Sequence, residues 1–72
     1  MESVKGYINQ IIYRLPDTGY TVLSLNTEAE ELTCVGIFRY ADEGENIEAH
    51  GEYVNHPVYG RQFNVKSYDI KP

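Results

Sequence analysis

No window of eleven residues in this chain carries an apolar stripe at the 3.6-residue spacing of a helix. Apolar residues alternate with polar ones instead, and clusters of turn residues interrupt the alternation. A helix buries residues three and four apart; alternation buries one face of a strand. The pattern therefore predicts strands, and seven tyrosines and many β-branched residues agree. A chain of 72 residues also has little core to work with. Closing the sheet on itself removes exposed edges, which suits so small a domain.

Five strands are expected. The first, residues 4–15, changes phase midway: Val4, Gly6 and Ile8 share one face, and Ile11, Tyr13 and Leu15 the other. Such a shift predicts strong coiling or a bulge. Gly6 removes a side chain where another backbone can come close. Pro16-Asp17-Thr18-Gly19 then supplies a fixed φ, a side-chain acceptor and a residue tolerant of positive φ, in turn order. The second strand is residues 20–26 and, after the polar connection TEAEE, the third is residues 32–38. Residues 39–45, RYADEGE, read as a loop or a single helical turn ended by Gly44. The fourth strand, residues 46–55, places Ile47, Ala49, Gly51 and Tyr53 inward. The fifth, residues 61–70, starts with Phe63 and Val65 inward and shifts phase to Tyr68 and Ile70.

This is the strand plan of an all-β, five-stranded antiparallel OB-fold, a Greek-key barrel, with the helix between strands three and four reduced to a short loop. An SH3-like small barrel has similar strand numbers, and the pattern alone leaves it open.

The connection between strands four and five, NHPVYG at 55–60, is turn chemistry for the most part. His56 precedes a proline and is biased to extended backbone. Pro57 fixes the first corner, Gly60 suits a left-handed re-entry, and Asn55 can bond its own backbone downstream. None of this requires Tyr59 or Arg61. In an OB-fold this turn flanks the oligonucleotide groove, so Tyr59 and Arg61 can stack on a base and meet a phosphate. The competing account packs Tyr59 on the rim and pairs Arg61 with an acid.

The net charge of −5 argues against indiscriminate phosphate binding. The charge is uneven: residues 28–52 hold eight acids against Arg39 alone, and the remainder holds five basic residues against three acids. The acidic stretch reads as a solvated face or as a docking face for a protein. The single cysteine, Cys34, cannot close an internal disulfide and is too little for a zinc site, so a reducing, cytoplasmic setting is expected. No stretch is long and apolar enough to span a bilayer, and no secretory signal is visible, so no membrane partner is expected. Glu48, His50 and Glu52 alternate along one strand face, where they form either a metal-holding set or a surface charge ladder.

GYINQIIYRLPDTGYTVLSL followed by GEYVNHPVYGRQFNV resembles the N-terminal OB domain of bacterial RecD-like ATP-dependent DNA helicases, relatives of the exodeoxyribonuclease V alpha chain. The family pattern Gly-x-(Trp/Tyr)-x-x-His-Pro-x-(Tyr/Phe)-Gly-x-Gln-Phe is matched by Gly51, Tyr53, His56, Pro57, Tyr59, Gly60, Gln62 and Phe63. The likeness runs from about Lys5 to Ile70, and the His-Pro-x-Tyr-Gly-Arg-Gln-Phe string is its specific part.

The resemblance implies a single domain over 1–72 that begins a larger 5′-to-3′ helicase of DNA repair and recombination. Helix-hairpin-helix elements and a P-loop ATPase follow in such proteins. The chain has no Gly-x-x-x-x-Gly-Lys-(Ser/Thr) string, so ATP and Mg²⁺ are expected in the parent's core, with no cofactor, metal or catalytic residue here. The implied role is DNA contact or packing on the helicase core. The alternative is a protein-interaction barrel, with a repair or replication protein on the acidic face. The candidate face for weak single-stranded DNA contact is Tyr20, Val22, Phe38 and Tyr40 beside Arg14, Arg39, Tyr59, Arg61 and Lys66.

Overall fold

A computed structural model describes all 72 residues. It contains five strands: β1 (Glu2–Arg14), β2 (Tyr20–Asn26), β3 (Glu31–Ile37), β4 (Asn46–His56) and β5 (Gly60–Lys71). They close into a barrel in the order β1-β2-β3-β5-β4. Four neighbouring pairs are antiparallel and one, β3 with β5, is parallel. The five-stranded barrel is the one expected, and one of its five seams is parallel. The reason is parity: strand directions cannot alternate all the way round a ring of five. The parallel seam is short, registering only Cys34 with Phe63 and Val35 with Asn64.

β1 serves two neighbours. Its first half pairs with β4 from Glu2↔Gly51 to Tyr7↔Asn46, and its second half pairs with β2 from Tyr7↔Asn26 to Arg14↔Thr21. The expected phase change is two irregularities, between Ile8 and Gln10 and between Ile11 and Tyr13. The first keeps both Ile8 and Ile11 on the core; the second turns Tyr13 out to solvent. Ile11 and Tyr13 therefore part company, and the face assigned to them together is corrected.

Past Tyr7, where the pairing with β4 ends, one edge of β1 has backbone groups without ladder partners. Residues 38–45 supply them. Ile8 N–H donates to the Glu45 carbonyl (2.8 Å), Gly44 N–H donates to the Ile8 carbonyl (2.7 Å), and Ile11 N–H donates to Glu43 Oε2 (2.9 Å). This segment is a loop without a helix, as expected, and it plugs one end of the barrel with buried Phe38 and Ala41. Phe38 lies just past β3 and packs on Tyr68 with centroids 4.7 Å apart.

The core gathers Ile8, Leu23, Leu25, Leu32, Cys34, Phe38, Ala41, Ile47, Ala49, Phe63 and Val65. The inward set expected of β4 is met: Ile47, Ala49 and Gly51 are buried and Tyr53 half-buried against Phe63. The phase shift in β5 is the irregularity opposite His50 and Gly51, where Gly51 pairs with Val65 and His50 with Ser67, leaving Lys66 extra; it brings Tyr68 against the core, while Ile70, expected inward with it, is exposed. No helix is long and apolar enough to cross a membrane.

Candidate nucleic-acid interface

Two turns frame one face of the barrel. In the β1–β2 turn, Gly19 N–H donates to the Leu15 carbonyl (2.8 Å) and Leu15 N–H to the Tyr20 carbonyl (2.9 Å). In the β4–β5 turn, His56 pairs with Gly60. Gly19 and Gly60 take φ of 81° and 80°, the left-handed region that turn chemistry assigned them. The side-chain acceptor of the second turn is His56, not Asn55 as expected. His56 Nδ1 accepts from Val58 N–H (3.0 Å) and Tyr59 N–H (3.2 Å), and the ring stacks on Tyr59 with centroids 4.7 Å apart.

Between the turns lies a groove of about 470 Å³. β1 contributes Ile12 and Tyr13, β2 Tyr20 and Val22, β3 Thr33 and Val35, and the β4–β5 hairpin His56, Tyr59 and Gln62. Register explains the juxtaposition: Tyr13 pairs with Val22 and Val22 with Val35, so one outward row crosses three strands. The lining holds no carboxylate, lysine or arginine. Tyr59 is 75% exposed and Tyr13 50%, an expensive display of aromatic surface for a domain this small.

The candidate residues divide. Tyr20, Val22 and Tyr59 meet in the groove. Phe38 is wholly buried and offers no surface, so its placement on the exposed face is corrected. Arg14 is committed to the fold: its Nε donates to Thr21 Oγ1 (3.1 Å) and its Nη2 to the Ala41 carbonyl (2.6 Å). Arg39 lies beside Gly19, outside the groove, and Tyr40 stands 82% exposed on the β3–β4 loop. Lys66 is the extra, exposed residue of β5 and does not line the groove. Arg61 points away. Its neighbour Gln62 faces the groove, so strand alternation turns Arg61 to the other face. There it pairs with Glu30, and its guanidinium sits 4.4 Å from the Tyr53 ring centroid.

Ile12, Tyr13, Thr33, Val35, His56 and Gln62 were not among the expected contacts. Strand alternation alone could have named Thr33 and Val35. Tyr13 depends on the second irregularity in β1, which the residue pattern does not locate.

A larger opening of about 760 Å³ lies on another side, floored by Val4, Ile47 and Tyr53 and rimmed by charges of both signs. Much of the acidic stretch is tied to the fold. Asp42 Oδ1 accepts from Glu43 N–H, Glu45 Oε1 from Asp42 N–H, and Glu31 Oε2 from Ser24 Oγ and Asn9 Nδ2. Glu48 pairs with Lys71 at 3.5 Å, while His50 bridges Ser3 Oγ (2.7 Å) and Asp69 Oδ2 (3.3 Å). The alternating Glu48 and His50 thus face cross-strand partners. Cys34 is buried and free, and burial pushes its thiol up to about 12.

A closed five-stranded barrel of this strand order, with a groove on the β2–β3 face between the β1–β2 and β4–β5 turns, is an OB-fold. A family model described as "ATP-dependent DNA helicase YrrC, OB-fold domain" matches residues 1–72, and the chain belongs to that family. The resemblance read from the His-Pro-x-Tyr-Gly-Arg-Gln-Phe string is thereby confirmed. No solved structure matches the chain.

Proposed function

We propose that this barrel is an accessory, non-catalytic domain of a RecD-like 5′-to-3′ DNA helicase, and that its aromatic groove contacts single-stranded DNA weakly. ATP and Mg²⁺ act elsewhere in the parent. The supporting observation is the groove itself: exposed Tyr13, Tyr20 and Tyr59 converge on the face where OB-folds bind oligonucleotides. Aromatic side chains there stack on bases, and each such stack is worth roughly 1–3 kcal/mol. With no lysine or arginine in the lining and a net charge of −5, phosphate contributes little.

Two expectations follow for a labelled oligothymidylate titrated with the 72-residue chain. Binding is weaker than the low-micromolar range at physiological salt. Raising salt fourfold weakens it by no more than about threefold, the figure for one neutralised phosphate on a single strand. Tight binding that collapses with salt would overturn the base-led reading.

The same lack of cations favours a second reading, in which the groove packs against the helicase core. Tyr59→Ala in the full helicase separates the two. Lower DNA affinity at unchanged melting temperature supports DNA contact; unchanged DNA affinity with a lowered melting temperature supports packing.

A further inference from the structure

The groove has no cation along its lining, but the surface that floors it continues past its end. Thr33 and Val35 face the groove from β3, and strand alternation carries the same outward row on through Ile37 to Arg39. The ladder with β2 holds over this stretch. Ile37 registers with Tyr20, and Phe38 N–H donates to the Gly19 carbonyl (3.0 Å) while the Phe38 ring is buried, so Arg39 is turned outward. Gly19 leaves the room that this side chain needs. A Cβ there would stand 2.6 Å from Arg39 Cγ, 3.6 Å from Arg39 Nε and 3.4 Å from Ile37 Cγ2. The Arg39 stem therefore lies across the β1–β2 turn, at the Tyr20 end of the groove.

Arg39 is also uncommitted. Arg14 is bonded to Thr21 and Ala41, Arg61 pairs with Glu30, and Lys71 pairs with Glu48. The exposed guanidinium of Arg39 has no acid within ion-pair distance. Lys5 and Lys66 are unpaired as well, but Lys5 lines the other opening and Lys66 stands on β5 away from the groove. We infer that Arg39 is the phosphate anchor of the groove: a single-stranded DNA whose bases lie against Tyr20 and Tyr59 meets Arg39 with one backbone phosphate where it passes the β1–β2 turn. This rests on the DNA-facing reading above and adds to it the place where the backbone is held. A guanidinium presents a planar fork of donors that matches one phosphate group, and it stays charged at any working pH.

The test titrates a labelled oligothymidylate against the 72-residue chain and its Arg39→Gln, Arg39→Lys and Lys66→Gln variants, each at two salt concentrations fourfold apart. Wild-type binding is expected to weaken about threefold over that interval, the figure for one neutralised phosphate on a single strand. Arg39→Gln is expected to bind less tightly at the lower salt and to change by less than about 1.5-fold between the two, its one phosphate contact being gone. Arg39→Lys restores the charge and should restore the response. Lys66→Gln removes an equal charge elsewhere and should leave the response intact. A wild type indifferent to salt, or an Arg39→Gln variant that keeps the threefold response, would overturn the anchor and leave the groove as a stacking surface. A flat response in Arg39→Lys as well would trace the loss to the shape of the turn rather than to charge, with the same consequence. Failure of the wild type to bind at either salt would overturn the DNA-facing reading itself.

Discussion

At His56 a single ring performs two tasks. Its Nδ1 accepts from the N–H groups of Val58 and Tyr59, and its face stacks on Tyr59, so the residue that shapes the turn also aims the most exposed aromatic of the groove. Accepting both bonds requires Nδ1 to be unprotonated. Replacing His56 by alanine leaves two N–H groups to water and frees Tyr59; a loss of about 1–2 kcal/mol is expected. His56→Asn puts a carbonyl oxygen within reach of the same N–H groups and should recover most of it. Urea unfolding of the two variants checks this, and equal losses would remove the acceptor role. Arg61 teaches the converse. Adjacent in sequence to the groove, it is turned by strand alternation to Tyr53 and Glu30, where it ties the β4–β5 hairpin to the β2–β3 loop.

At the scale of elements, the bend in β1 organises the molecule. One strand pairs with two neighbours only if it turns between them, and the irregularities at Ile8 and Ile11 provide the turn. The edge of β1 that β4 leaves open past Tyr7 is met by the 38–45 loop, so a short acidic segment does the capping that a helix does in a fuller OB-fold. Where strands cross closely, side chains are excluded. A Cβ on Gly6 would collide with the Asn26 carbonyl, and one on Gly51 with the Asn64 carbonyl. Backbone cannot retreat as a flexible side chain can, so Gly6→Ala and Gly51→Ala are each expected to cost about 2–3 kcal/mol in chemical denaturation. A cost below about 1 kcal/mol at either site would mean that the barrel breathes there.

For the whole molecule, the closed barrel makes its interior inaccessible without global opening. Cys34 reports on this, being fully buried with its thiol raised from 9.0 to about 12 by loss of solvation. Only the unfolded chain ionises readily near pH 9, so the stability Cys34 contributes is fully present below that pH. It is lost as pH rises toward 12. The stability difference between wild type and Cys34→Ala should therefore shrink above pH 9, by up to about 1.4 kcal/mol per pH unit. At pH 8 the thiol should react with a disulfide reagent only at the rate of global unfolding. Fast labelling of the native protein would show that the β3–β5 seam, two registered pairs long, opens on its own.

Alternation and turn residues determined by themselves that this chain is five strands, where its turns fall, and which residues of β4 face inward. These are local matters: side-chain period and backbone preference act within a few residues. The His-Pro-x-Tyr-Gly-Arg-Gln-Phe string carried the family as well. Tertiary structure decided the rest. The parallel seam follows from closing an odd number of strands, a property of the ring and of no single strand. The burial of Phe38, the outward turn of Tyr13, and the exchange of Arg61 for Gln62 at the groove depend on which strand lies opposite and where a bulge falls. One residue of slippage moves a side chain to the other face, and only the packed barrel sets that register.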